Sequence, residues 1–231
     1  LEFNSPPIKI LLPAEESTFA EKCTILVTAI DSVIKQFSMF VQEGEIDFEG
    51  LQFISSIKFA DIPSFITRKY VYGQGEKYSK VTFLLFSDQS LLLYIPCVGE
   101  SYESFYQLLS NEKVSINDYR EYFLSDIQWL VDEGFLKIDE EGIISVYDEI
   151  SVKLLLDIYT NLAISIHHLS PLLIYKIELL HERGYIKYGS SLLSEPEASL
   201  FNYYLNRAEF RNGLDIRNKY AHGVSQVCED E

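Results

Sequence analysis

The sequence predicts a mainly α protein, and three observations carry that expectation. Apolar residues recur at three- and four-residue steps over 19–40 and again over 152–166. Helix-start and helix-stop residues bracket such stretches, with Ser17 or Thr18 and the run Ser194-Glu195-Pro196-Glu197 as starts and Gly44 and Gly134 as stops. Strand-like pairing is confined to short pieces, the clearest being FLKIDEEGIISV around Glu141-Gly142.

Taken in order, residues 1–14 hold Pro6, Pro7 and Pro13 and read as an extended lead-in. The first helix runs to about Gln42, with Phe19, Cys23, Leu26, Ile30, Val33, Phe37 and Phe40 as its apolar stripe. Residues 46–60 carry Phe48, Leu51, Phe53, Ile54 and Ile57 in mixed periodicity and are expected to be helical; Pro63, Gly73 and Gly75 mark a loop after them. The stretch 80–96 reads either as one buried helix or as two strands turning at Asp88-Gln89-Ser90, and its leucine-rich composition favours helix.

From 102 to 148 the pattern is helix (102–110), helix (115–122), helix (124–133) and a two-stranded wing, the layout of a winged helix-turn-helix. Its helix before the wing carries Asp126, Asp132 and Glu133 with no Lys or Arg, so duplex DNA is not an expected partner and packing or protein contact is. IQWLVDEGFLK (127–137) and IELLHERGYIK (177–187) align without gaps at an offset of 50. Two readings exist: convergence of any helix–glycine–strand unit on this pattern, which is favoured, and two tandem units. Beyond it, 149–168 predicts one helix, Pro171 restarts the chain into a helix over 172–183, and 185–194 is irregular or a short hairpin. A helix from 194 toward Arg211, a break at Asn212-Gly213 and a short helix over 215–221 complete the chain. The expected organisation is an N-terminal helical region (1–101), a winged-helix-like segment (102–148) and a C-terminal helical bundle (149–231).

The totals exclude several classes. In the 231 residues, 19 basic and 35 acidic side chains give a net charge of −16, which argues against broad nonspecific binding to nucleic acid. No run of 18 apolar residues and no secretory leader are visible, so no membrane association is expected. Cys23, Cys97 and Cys228 are scattered and odd in number, which fits a reducing, cytoplasmic location rather than a disulfide framework or a metal motif. The chain does not begin with Met and is expected to be joined to other domains of a longer protein. His167 and His168 are adjacent without a spaced carboxylate; His181 sits beside Glu182; neither arrangement makes a metal site, and no cofactor is expected.

The stretch with the clearest chemistry is FNYYLNRAEFRNGLDIRNKYAHG (201–223), which contains the one Arg-x4-His of the chain, Arg217 to His222, with Asn218 after the arginine and Gly223 after the histidine. Four basic residues (Arg207, Arg211, Arg217, Lys219) against two acidic ones (Glu209, Asp215) make it a positive island, with Tyr203, Tyr204 and Tyr220 available for base stacking. The same residues also read as an ordinary helix stop, a histidine in the last turn followed by glycine.

RNKYAHG after an aromatic helix resembles the C-terminal motif of the HEPN superfamily, helical domains of bacterial RNase toxins, abortive-infection proteins and CRISPR-associated nucleases; the resemblance covers about the last 75 residues. It implies a metal-independent endoribonuclease of a toxin or antiviral-defence system, with Arg217 holding the phosphate, His222 moving the proton and Asn218 orienting either. RNA contacts would come from Arg207, Arg211, Lys219 and Tyr220. Five residues along a helix turn through about 500°, so the two side chains diverge by roughly 140°, and the resemblance implies a homodimer with a composite site. Position 224 is Val, which departs from the subgroup with a Tyr there. The competing class is a non-catalytic helical dimerisation or adaptor module, and a winged-helix DNA-binding regulator is the third.

Overall fold

The structure, a computed structural model, describes residues 8–95 and 102–221. Its α-helices are α1 (Phe19–Glu43), α2 (Gly75–Phe86), α3 (Phe105–Asn111), α4 (Glu121–Asp132), α5 (Glu149–Asn161), α6 (Pro171–Glu182), α7 (Glu195–Leu205) and α8 (Ile216–Ala221). The strands are β1 (Tyr70–Gly73), β2 (Val114–Ser115), β3 (Leu136–Ile138), β4 (Ile143–Val146), β5 (Ile164–Ser165) and β6 (Ile186–Gly189). The protein is mainly α, with two small antiparallel sheets. The chain divides into two compact units, Leu1–Thr67 with Ser190–Glu231, and Arg68–Gly189. Within the second of these, β1 is hydrogen-bonded to β6 and so ties residue 70 to residue 189.

Within 68–189 the offset-50 similarity extends over a run of consecutive elements. β2, the 3-10 turn Ile116–Asp118, α4 and β3 recur fifty residues later as β5, the 3-10 turn Ile166–His168, α6 and β6. Both helices end through the same glycine turn: Gly134 (φ 70°) and Gly184 (φ 79°) take the left-handed conformation that a side chain resists. The Phe135 amide then donates to the Leu130 carbonyl at 2.9 Å, and the Tyr185 amide to that of Leu180 at 3.0 Å.

The sheets match too, in the orders β2-β4-β3 and β5-β1-β6. Ser115 faces Ile143 as Ser165 faces Tyr70, and Leu136 faces Val146 as Ile186 faces Gly73. Ladder ends agree as well: Ile116 N–H to Gly142 O (2.9 Å) with Ile166 N–H to Lys69 O (3.0 Å), and Tyr147 N–H to Phe135 O with Gln74 N–H to Tyr185 O, both 2.8 Å. The unit therefore contains a repeated helix–strand–helix–strand arrangement, larger than the helix–glycine–strand unit that the sequence shows. One difference remains. The first module takes its central strand from its own hairpin, whereas the second takes β1 from far upstream.

The two modules meet at equivalent positions. Phe135 and Tyr185, both fully buried, pack edge to face with ring centroids 5.2 Å apart. Arg183 donates to the backbone carbonyl of Glu133 and also reaches its carboxylate, at 3.3 Å, where Tyr185 Oη (2.7 Å) and Lys77 Nζ (3.0 Å) donate as well. Burial alone pushes the Glu133 carboxyl up, and the hydrogen bonds from Tyr185, Lys77 and Arg183 outweigh it and hold it below the ordinary carboxylate range.

In the other unit, Thr18 and Glu21 form a reciprocal capping box that starts α1, and Gly44 in the left-handed region stops it. By length and composition alone α1 is apolar enough to cross a membrane. Its buried Gln36 instead exchanges two hydrogen bonds with the Lys9 backbone, at 2.8 and 2.9 Å. A small core of Phe59, Ile62 and Ala198 joins the segment after α1 to α7, with Phe59 stacked on Phe201 at 5.4 Å. The Leu192 amide closes on the Ile62 carbonyl at 2.7 Å.

Several expectations are corrected. Residues 46–60 form 3-10 turns (Gly50–Phe53; Phe59–Asp61 beyond), not a helix. Residues 70–75 are strand β1 and the start of α2 rather than a loop. The helix over 80–96 stops at Phe86, because Ser90 turns its hydroxyl onto the Leu84 carbonyl at 2.9 Å and redirects the chain. Residues 115–122 are not one helix: Ser115 and Asp118 cap a single 3-10 turn and α4 starts at Glu121. The helix 149–168 stops at Asn161, where Leu162 adopts φ 64°. The helix expected to reach Arg211 stops at Leu205, because the Asn206 side chain satisfies the Ala208 amide at 2.8 Å. Cys97 and Cys228 lie outside the described residues.

The depressed pKa of Glu133 sets an expected pH dependence. A carboxylate whose pKa is lower folded than unfolded stabilises above its unfolded value, about 4.3, and that stabilisation is lost as the pH falls through the folded value. Glu133→Gln is expected to cost about 2 kcal/mol at pH 7, with the gap to the parent closing as the pH falls through the carboxylate range in urea titrations.

Candidate functional site

α8 carries Arg217 and Asn218 and packs against α1 and α7. Its approach is fixed by a corner at 206–215. The Leu214 amide donates to the Tyr203 carbonyl at 2.8 Å, and Gly213 runs so close to the carbonyls of Asn206, Tyr203 and Phe210 that a Cβ would sit 2.9–3.1 Å from them. Asp215 then takes φ 56°, a conformation aspartate tolerates, and α8 begins.

Arg217 is half-buried. Its Nη2 lies 3.2 Å from Asp31 Oδ1 on α1 and 3.4 Å from Ser56 Oγ. Asp31 is shared: its Oδ2 is 3.2 Å from Lys35 Nζ one helical turn on. These groups edge a cleft of about 290 Å³ whose apolar wall comes from Ile30, Ile34, Ile57, Phe59 and Leu205. Arg217 is thus a cation at the mouth of an apolar recess, anchored on one side and with guanidinium donors beyond those two partners.

The other expected residues are placed as follows. Asn218 is exposed and donates to Asp215 at 2.7 Å, which fixes the start of α8 rather than orienting Arg217. Arg207 pairs with the same Asp215 at 3.5 Å. Arg211 and Lys219 are exposed, and Tyr220 is half-buried. Tyr203 is engaged by Tyr204 and Phe210 edge to face at 5.5 and 5.9 Å, which leaves Tyr204 as the more exposed ring. His222 and Gly223 lie outside the described residues. The structure brings together Arg217 with Asp31, Ser56 and Lys35, and it brings Arg207 and Asn218 together on Asp215.

Sequence reasoning missed Asp31, Ser56 and Lys58, the last an exposed cation at the cleft. The signal for Asp31 was a carboxylate interrupting an apolar stripe between Ile30 and Val33. Among the described residues no group of three or more His, Cys, Asp or Glu is placed to hold a metal ion.

No protein-family model, curated protein or solved structure matches the chain.

The partly exposed Arg217–Asp31 pair contributes little stability, so Arg217→Ala is expected to cost under about 1 kcal/mol. Gly213→Ala, which forces three carbonyls apart, is expected to cost about 1–3 kcal/mol. Thermal unfolding of the two variants side by side checks the order.

Proposed function

We propose that this chain is a metal-independent endoribonuclease of a toxin or antiviral-defence system, built on a HEPN-like helical domain and acting as a homodimer. The observation that carries the reading is the placement of Arg217. It stands at the mouth of a cleft, oriented by Asp31 and Ser56, on a helix that leads directly into His222. A fixed guanidinium suits the charge that develops on a phosphate under attack by the neighbouring 2′-hydroxyl, and an imidazole suits the proton transfer at neutral pH. The rotation between positions 217 and 222 favours a site completed by a second copy.

Residues 68–189 are proposed to be two winged-helix-like modules that contact protein rather than duplex DNA. The helix preceding each wing presents Ser125, Gln128 and Asp132, or Tyr175, Glu178 and Glu182, to solvent. Lys176, the cation on α6, is held by Asp148 at 2.7 Å. Such faces repel phosphate.

A second reading, a non-catalytic dimerisation module, draws on the same ion pair. Asp31 neutralises Arg217 and Asp215 neutralises Arg207, so half of the positive island is already occupied. The two readings separate in one assay. Labelled single-stranded RNA incubated with the protein in EDTA is expected to yield 2′,3′-cyclic phosphate ends. His222→Ala is expected to lower the rate by about 10²–10⁴, and Arg217→Ala to abolish cleavage with the fold intact. Parent-level cleavage by either variant, or none by the parent dimer, would favour the adaptor.

A further inference from the structure

The Arg217 cleft has a ligand chemistry of its own. Its wall is aliphatic: Val27, Ile30 and Ile34 from successive turns of α1, Ile57 from the segment after it, and Leu205 from α7. The one aromatic ring lining it, Phe59, already has Phe201 stacked on it at 5.4 Å and 27°. Nucleobases are held on open aromatic faces, so this recess suits an aliphatic body better than a base. At about 290 Å³ it lies at the small end of ligand pockets. At the ~30 Å³ of a water-sized group, that is room for roughly ten non-hydrogen atoms.

Charge sets the other half of the ligand. Lys58 and Arg217 edge the cleft, and Lys35 stands on the far side of Asp31. The carboxylate of Glu209 is taken up by Ser199 at 2.8 Å and Asn202 at 3.2 Å. Asp31 keeps Lys35 as a partner when Arg217 turns its remaining donors to an incoming anion, so binding leaves no carboxylate orphaned. The planar fork of a guanidinium matches a carboxylate.

We propose that this cleft binds a carboxylate on a short, branched aliphatic body, with the acid group between Arg217 and Lys58 and the alkyl group against Ile30, Ile34, Ile57 and Leu205. The chemistry is shared by a free branched-chain acid and by the C-terminus of a peptide ending in Leu, Ile or Val. The site stands whether or not the chain cleaves RNA. Where it does, the acid competes for Arg217 and inhibits.

Isothermal titration of the full chain with 4-methylpentanoate, N-acetyl-leucine and 4-methylpentanamide tests it. At least one acid is expected to bind saturably with Kd below about 1 mM, and the neutral amide at least about tenfold more weakly. Tighter binding of N-acetyl-leucine identifies a peptide end, and tighter binding of 4-methylpentanoate a free acid. Ala60→Trp, which plugs the mouth from an exposed lining position, is expected to weaken the acid at least about tenfold at unchanged melting temperature. Ala208→Trp does the same from another lining segment should Ala60→Trp fail to fold, and Arg217→Gln removes the charge. Equal binding of acid and amide, no saturable binding by either acid, tighter binding of a nucleoside monophosphate, or wild-type affinity in the plugged variants would overturn it. RNA cleavage that persists without acid binding sinks this site alone, and acid binding without cleavage sinks the nuclease alone.

Discussion

The pairing of β1 with β6 is the constraint on which the chain's organisation depends. The second module ends on β6 with no hairpin to follow, and without β1 in the centre its strands β5 and β6 would each lack a partner, since neither is hydrogen-bonded to the other. Residues 70–73 fill that position with the register that β4 holds in the first module, residue for residue. Once they do, residues 68 to 189 form a closed loop of chain with both ends on neighbouring strands. The segments before and after it are thereby left to build their own small core from Phe59, Ile62 and Ala198.

What was legible in the sequence was local. The helix starts at Thr18 (one of the two expected caps) and at Ser194, the glycine stops at 44 and 134, and the hairpin around Glu141-Gly142 are each set within a few residues and emerge as expected. Errors arose where a polar side chain outcompeted a good helical pattern: Ser90 on Leu84, Ser115 with Asp118, Asn206 on Ala208. β1 was unreadable because YVYG gains strand character only from partners at 164–165 and 186–189. The repeat was visible in the sequence as an offset of 50, but its extent shows only in the matched register of the two sheets.

The candidate site shows the same split. Arg217 was found from its spacing to His222, but the residues that give it a setting lie some 160 to 190 positions away. Asp31 could be seen only as a flaw in an apolar stripe. The informative feature of Arg217 is the geometry of its pair with Asp31. Asp31 holds Arg217 by one oxygen and Lys35 by the other, which fixes the guanidinium without enclosing it.

The two modules of 68–189 have kept their interiors and diverged outside. Ile127 and Ile177, Leu130 and Leu180, and Phe135 and Tyr185 are buried alike, while Asn117-Asp118 has become His167-His168 and Ser125 has become Tyr175. The two modules thus share their packing and differ in the surface they present. Neither face offers unpaired basic charge on its helix before the wing. Within 201–221, Arg211 and Lys219 stand exposed and form no ion pair with a described residue. Two such cations are weak against the acidic background. In the proposed nuclease a second copy would double them, and it would also supply the facing residue that the roughly 140° between positions 217 and 222 denies to one chain.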